Sequence, residues 1–226
     1  TFGFPIDLTE DIAREKGLSV EMKVFETEMT KQKNRARKSN QFTMEKTSLP
    51  KIESKTKFIG YDELESESKI LSIYNKTTLV DKLTAGEEGI IILDKTPFYA
   101  EGGGQVGDSG KIISSDSIFD VIDTQKSLQA IAHLGTLSKG TIKSGDKVIV
   151  KVNKERRDAI ILNHSATHLL HAALRLTLGN HIQQKGSLVA PDKLRFDFSH
   201  GEPINQEKII EIESLVNDQI IANSKA

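Results

Sequence analysis

Apolar positions change period twice along the chain. Met22, Phe25 and Met29 recur at i, i+3 and i+7, the spacing of one helix face. Before them, Asp7 and Glu10 have the arrangement of a helix cap, and Gly17 offers a left-handed stop. Residues 1–38 therefore read as helical, and the polar stretch 39–57, with Pro50 and no usable period, reads as a linker. Between residues 58 and 152 the pattern shortens. Gly89-Ile90-Ile91-Ile92-Leu93, Lys111-Ile112-Ile113, Ile118-Phe119-Asp120-Val121-Ile122, Leu128-Gln129-Ala130-Ile131-Ala132 and Lys147-Val148-Ile149-Val150-Lys151-Val152 are broken by Gly, Asp and Ser turns. Many short strands with frequent turns predict a small barrel or sandwich. After residue 153 the helical period returns. Asn153 is the predicted cap, Ile160, Ile161, Ala166, Leu169, Leu170, Ala173 and Leu174 the apolar set, and Gly179 the stop. Leu194-Arg195-Phe196-Asp197-Phe198 alternates as a half-buried strand does, and a last helix is predicted over residues 207–222. The expected fold class is α+β: an N-terminal helical segment, a strand-rich middle and a second α+β unit over residues 153–226.

Composition narrows this picture. The chain has 226 residues, enough for one large or two small domains. No apolar run approaches the ~18 residues of a membrane span, and no signal peptide is visible. The first residue is Thr1, so a longer parent protein is expected. There is no cysteine, which removes disulfides and thiolate metal ligands within these residues. The net charge is only -1, so any nucleic-acid contact must use local basic stretches. Two exist: Lys31, Lys33, Arg35, Arg37 and Lys38, and Lys151, Lys154, Arg156 and Arg157. The first is readable as a solvated helix end or as a contact with RNA phosphate, and the two together are expected to give weak, salt-sensitive tRNA binding.

Three segments can carry chemistry. In Asn163-His164-Ser165-Ala166-Thr167-His168-Leu169-Leu170-His171, the three histidines share one helix stripe, and two imidazoles four residues apart can chelate one zinc ion. A zinc site needs three or four protein ligands, so His164 and His168 alone are too few. A metalloprotease helix would need Glu where Ser165 stands. In Thr96-Pro97-Phe98-Tyr99-Ala100-Glu101-Gly102-Gly103-Gly104-Gln105-Val106-Gly107-Asp108, three glycines allow close approach to the backbone, although a plain turn explains them equally. The stretch Gly179-Asn180-His181-Ile182-Gln183-Gln184-Lys185-Gly186-Ser187-Leu188-Val189 is either a cleft lining or a surface loop.

Taken together, these segments resemble alanyl-tRNA synthetases. Thr1-Phe2-Gly3-Phe4-Pro5-Ile6-Asp7-Leu8-Thr9 and Met29-Thr30-Lys31-Gln32-Lys33-Asn34-Arg35-Ala36-Arg37 resemble the end of that family's tRNA-recognition region. Phe98 to Gln105 resembles its glycine motif, and residues 163–175, 184–189 and 194–200 resemble its editing domain. The resemblance runs through nearly the whole chain in the family's order.

That resemblance implies residues 1–38 as the end of tRNA recognition, 39–57 as linker, 58–152 as a β-barrel and 153–226 as a truncated editing core. It implies an ATP- and magnesium-dependent ligase charging tRNA for alanine, in the cytoplasm, with neither membrane nor DNA as partner. Because serine and glycine enter an alanine pocket, a second site hydrolyses the mischarged ester. His164 and His168 match zinc ligands, Thr167 a residue sensing the seryl hydroxyl, Gln184 a site-lining glutamine, and Gly102, Gly103 and Gly104 a loop near the terminal adenosine. The remaining zinc ligands, a Cys-x-x-x-His segment, are expected beyond Ala226, and the ATP-binding core upstream of Thr1. The alternatives are a free-standing editing deacylase, which should lack the segment before residue 38, and a tRNA-binding or structural module without activity of its own.

Overall fold

The computed structural model describes residues 13–14, 16–39 and 49–223, with only the backbone described for 32–39. The Asp7 cap and the motif at residues 1–9 lie outside the described residues, as do the side chains of Lys33, Arg35, Arg37 and Lys38. The chain divides into two compact units, Thr1–Thr47 and Ser48–Ala226.

In the first unit, helix α1 spans Met22–Ser39, with Gly17 before it at a φ of +69°. Phe25 and Met29 are half-buried, as the i, i+4 face requires, while Lys31 pairs with Glu28 one turn earlier at 2.7 Å.

The second unit has the expected α+β character. Its strands are β1 (Lys57–Phe58), β2 (Glu65–Asn75), β3 (Thr78–Val80), β4 (Lys82–Thr84), β5 (Glu88–Leu93), β6 (Lys95–Thr96), β7 (Gly110–Ile113), β8 (Ile118–Ser127), β9 (Ala130–Lys139), β10 (Thr141–Lys143), β11 (Lys147–Val152), β12 (Gln184–Val189) and β13 (Leu194–Phe198). Its helices are α2 (Lys154–Leu178) and α3 (Gln206–Ala222).

Strands β11-β7-β8-β9-β5-β2 form one antiparallel run, and pairing of β11 with β2 closes it into a barrel. Closure removes the sheet's free edges. Ile70, Ile91, Leu93, Phe98, Phe119, Leu137 and Ile142 pack inside, each almost wholly buried. In β11, strict alternation puts Val148, Val150 and Val152 inward. The continuous run of β5 has a different cause: both its faces are covered. Ile90 and Ile92 lie outside the barrel, packed with Ala130, Ala132, Leu134 and Ile52.

Ile52 belongs to the segment read as a linker, and here the structure departs from that reading. From Leu49 onward the segment packs on the barrel: the Thr56 hydroxyl donates to the Leu93 carbonyl at 2.8 Å, and Ser127 donates to the Pro50 carbonyl at 2.7 Å. Leu128, read as the start of a strand, is instead a turn residue at a φ of +56° between β8 and β9.

Helix α2 starts where Asn153 accepts a bond from the Arg156 amide, and ends where the Gly179 amide bonds the Arg175 carbonyl. It packs against α3 and the β12–β13 hairpin through Ala173, Leu174, Ile182, Ile212 and the half-buried Phe196 and Phe198. No described helix is long and apolar enough to cross a membrane.

Candidate functional site

The glycine motif leaves the barrel after β6 and turns back at Gly102 to Gln105. The Gly102 and Gln105 amides each bond the other's carbonyl, at 3.1 and 3.0 Å, closing the turn. Its two central residues, Gly103 and Gly104, sit at φ of +62° and +86°, a backbone suited to glycine. Gly104 has a second constraint: a Cβ there would lie 2.6 Å from the Ser187 carbonyl oxygen. The Val189 amide bonds the Gly104 carbonyl at 2.8 Å, and the Val106 amide bonds the Val189 carbonyl at 3.0 Å. Stretch 184–189 is therefore a strand docked on the glycine turn, which settles the cleft-or-loop alternative locally.

Helix α2 crosses this junction, and two side-chain links fix it. Arg157 is buried, and its guanidinium donates to both carboxylate oxygens of Asp108 and, at 2.9 Å each, to the Gly60 and Pro97 carbonyls. The Asp108 carboxylate also accepts from the Tyr99 amide at 2.6 Å. The sequence puts Arg157 in a basic stretch expected to meet RNA; the structure corrects this, since its donors are engaged inside the fold. Seven residues on, two helical turns, stands His164. Its Nδ1 lies 2.7 Å from Oε1 of the buried Gln105. A carbonyl oxygen only accepts, so Nδ1 is the donor, and in the neutral ring Nε2 keeps its lone pair.

That Nε2 faces His168 Nε2 at 3.1 Å. Two nitrogens bound to one tetrahedral zinc at ~2.0–2.1 Å would lie roughly 3.3 Å apart. The spacing of the pair fits two corners of a zinc site, and Gln105 stands where an outer partner would fix such an imidazole. Among the described residues, no group of three His, Asp or Glu side chains could hold a metal.

Gly103, His164, Thr167, His168, His171 and Gln184 come together around a cavity of about 80 Å³, closed by Ser187, Val189 and Phe196. Gly102 and Gly104 belong to the turn but do not line the cavity. The Thr167 hydroxyl donates to the Asn163 carbonyl at 2.8 Å, leaving its oxygen free to accept. Asn163 in turn donates to the Ala190 carbonyl at 2.7 Å, tying helix to hairpin. His171 packs on Phe196 with ring centres 5.1 Å apart, and its Nε2 is buried without a protein partner. Gln184 sits exposed at the start of β12, beside a register shift.

Sequence reasoning assigned no role to Gln105, Asp108 or His133. The first two lie beside the glycines, where a polar residue is the available signal. His133 gives none. It is wholly buried in β9, donating from Nδ1 to the Ile91 carbonyl at 2.9 Å and accepting at Nε2 from Thr96 at 2.8 Å. Burial lowers its pKa to about 4, so it is neutral at pH 7 and structural.

The second unit thus joins a barrel, a docked hairpin and a helix that presents paired imidazoles to a small cavity. Residues 1–156 match the family model of tRNA synthetases class II (A), and the chain belongs to that family. Within it, the chain is 51% identical over 225 residues to the alanine–tRNA ligase of Nitrosomonas europaea and 48% identical over 223 residues to that of Idiomarina loihiensis. It is 48% identical over 225 residues to that of Pseudomonas entomophila. These matches take in 99–100% of the chain, which spans about a quarter (26%) of the length of each relative.

Proposed function

We propose that the chain is the proofreading region of an alanine–tRNA ligase, a cytoplasmic enzyme that charges its tRNA with alanine using ATP and magnesium and hydrolyses seryl- and glycyl-tRNA formed in error. The observation that carries the reading is the convergence of His164 and His168 Nε2 at 3.1 Å, oriented by Gln105 and beside Thr167. Such a site is needed chemically: a pocket shaped for alanine cannot strongly reject glycine, or serine with its one added hydroxyl.

In this reading residues 1–38 end the tRNA-recognition region, the stretch up to residue 48 connects, 49–152 form the barrel with the segment packed on it, and 153–226 form the editing core. His164 and His168 hold zinc, and the remaining protein ligands come from outside this chain. Zinc, when bound, supplies Lewis-acid activation of water. The residues of the chain select and place the ester. Thr167 Oγ1 accepts a bond from a seryl hydroxyl, since its own proton is already donated to Asn163. Gln184 borders the entrance, and the glycine turn, free of side chains, lets the terminal adenosine approach the backbone.

The chain alone is expected to show neither alanine-dependent pyrophosphate exchange nor appreciable deacylation. The test is hydrolysis of seryl-tRNA by the full-length protein and its His164→Ala/His168→Ala variant. Loss of deacylation with charging intact supports the reading; an unchanged deacylation rate in the variant defeats it.

A further inference from the structure

The outer face of the barrel sets lysine against lysine. Lys69 lies directly opposite Lys147 across β2 and β11, and Lys82 directly opposite Lys143 across β4 and β10. All four are exposed. Like charges in this position destabilise an antiparallel pair. The same barrel shows a neutralised case. Lys111 opposes Lys151 across β7 and β11, and that row ends in Asp120 and Glu65, whose carboxylates lie 3.9 and 3.0 Å from the two ammonium groups. None of the ion pairs among the described residues involves Lys69, Lys82, Lys143 or Lys147.

These lysines line two adjoining grooves of about 700 and 600 Å³, which share Ser114, Ser115 and Lys147. Four carboxylates also line them, and three face their own turns. Asp94 accepts from the Lys69 and Lys95 amides at 2.8 Å each, and Asp146 from the Lys143 amide at 2.8 Å. Asp116 receives the Ser114 and Ser115 hydroxyls at 3.4 and 3.5 Å. Glu67, the fourth, stands opposite Ile149. The grooves thus offer ammonium groups outside any described ion pair, with the Glu87 carboxylate in electrostatic reach of Lys82, two serines at the shared wall, and no aromatic anchor of the kind that dominates protein interfaces.

We infer that this double groove binds the phosphodiester backbone of an RNA, with the Lys69/Lys147 and Lys82/Lys143 pairs each flanking phosphate. No carboxylate lies at ion-pair distance from these four ammonium groups, and a bound phosphate takes that place, so the local cost in the free protein becomes a gain in the complex. The inference rests on the tRNA partner of the proposed function, but the site lies on the barrel and uses none of the histidine-cavity residues.

The test measures binding of uncharged tRNA to the chain across a potassium chloride series. It compares the chain with Lys69→Gln/Lys147→Gln, Lys82→Gln/Lys143→Gln, the charge-preserving Lys69→Arg/Lys147→Arg, and Lys193→Gln, which lies outside both grooves. Each glutamine pair should weaken binding and flatten the slope of log affinity against log salt by about one per lysine removed. The arginine pair and Lys193→Gln should bind as the parent does. Each glutamine pair should also melt at or above the parent temperature, because a repulsion has been removed. Unchanged affinity and slope in both glutamine pairs would overturn the inference. So would polyglutamate binding that both glutamine pairs weaken while tRNA binding stays unchanged, which would assign the groove to an acidic protein. Uncharged tRNA involves no hydrolysis and no zinc, so failure of the editing reading leaves this result standing.

Discussion

Removing either partner of the Arg157–Asp108 pair should be the most destabilising single change at the junction of barrel and helix. Both side chains are buried, with 8% and 1% of their surface exposed. Arg157→Met leaves the Asp108 carboxylate inside the fold with the Tyr99 amide as its remaining donor, and strips the Gly60 and Pro97 carbonyls of theirs. Breaking a buried pair from one side costs about 3–5 kcal/mol, a large part of the roughly 5–15 kcal/mol that holds a domain folded. With a urea m-value of about 2 kcal/mol/M, the unfolding midpoint should fall by about 1.5–2.5 M. Asp108→Asn should behave similarly, and the double variant should lose much less than the sum, because no charge is left stranded. The assay is urea unfolding of the four proteins followed by circular dichroism. Single losses below about 1 kcal/mol, or additive losses, would mean that this pair does not set the position of α2 on the barrel.

Further outcomes follow from the same geometry. Gly104→Ala should lower thermal stability and weaken tRNA-end binding, since its Cβ meets the Ser187 carbonyl at 2.6 Å and its φ is +86°; a wild-type melting curve would contradict this. His133 should make stability pH-dependent: its folded pKa is lowered to about 4, so its contribution is complete above the unfolded value of 6.5 and is lost as pH falls toward 4. The loss should be about 2 kcal/mol between pH 7 and pH 5, and His133→Gln should flatten that slope; an identical slope in the variant would show that another group titrates. In the full-length protein, Thr167→Val should slow hydrolysis of seryl-tRNA more than that of glycyl-tRNA; equal slowing would deny Thr167 a role in sensing the hydroxyl.

Parts of this fold are plain in the sequence because local signals and tertiary demands agree. The alternation of β11, the Asn153 cap and the Gly179 stop each have one physical reading, and the structure has them at those positions. Strand β2 escapes the hydrophobic pattern although it is among the longest. Its inward positions begin with Ser66 and Ser68, which are buried and 3.2 Å from each other, so polarity and burial part company. Strand β12 is obscured by its glycine and its register shift, and forms where Gly104 and Gln105 dock on Val189. The histidine pair is legible because i, i+4 spacing on a helix fixes which side chains meet. Its partner Gln105 is 59 residues away in sequence, and no periodicity connects them. Arg157 misleads for a related reason: a cation in a basic run looks solvated until the fold brings Asp108 to it.

The proposal that His164 and His168 are two ligands of one zinc site completed by the rest of the protein stands or falls on calorimetric zinc titration of the full-length protein, its His168→Ala variant and the present chain. The expected result is one tight zinc in the full-length protein, loss of tight binding on His168→Ala, and loose binding by the chain alone. A full-length protein that binds no zinc, a His168→Ala variant that binds it undiminished, or tight stoichiometric zinc in the chain alone would contradict it.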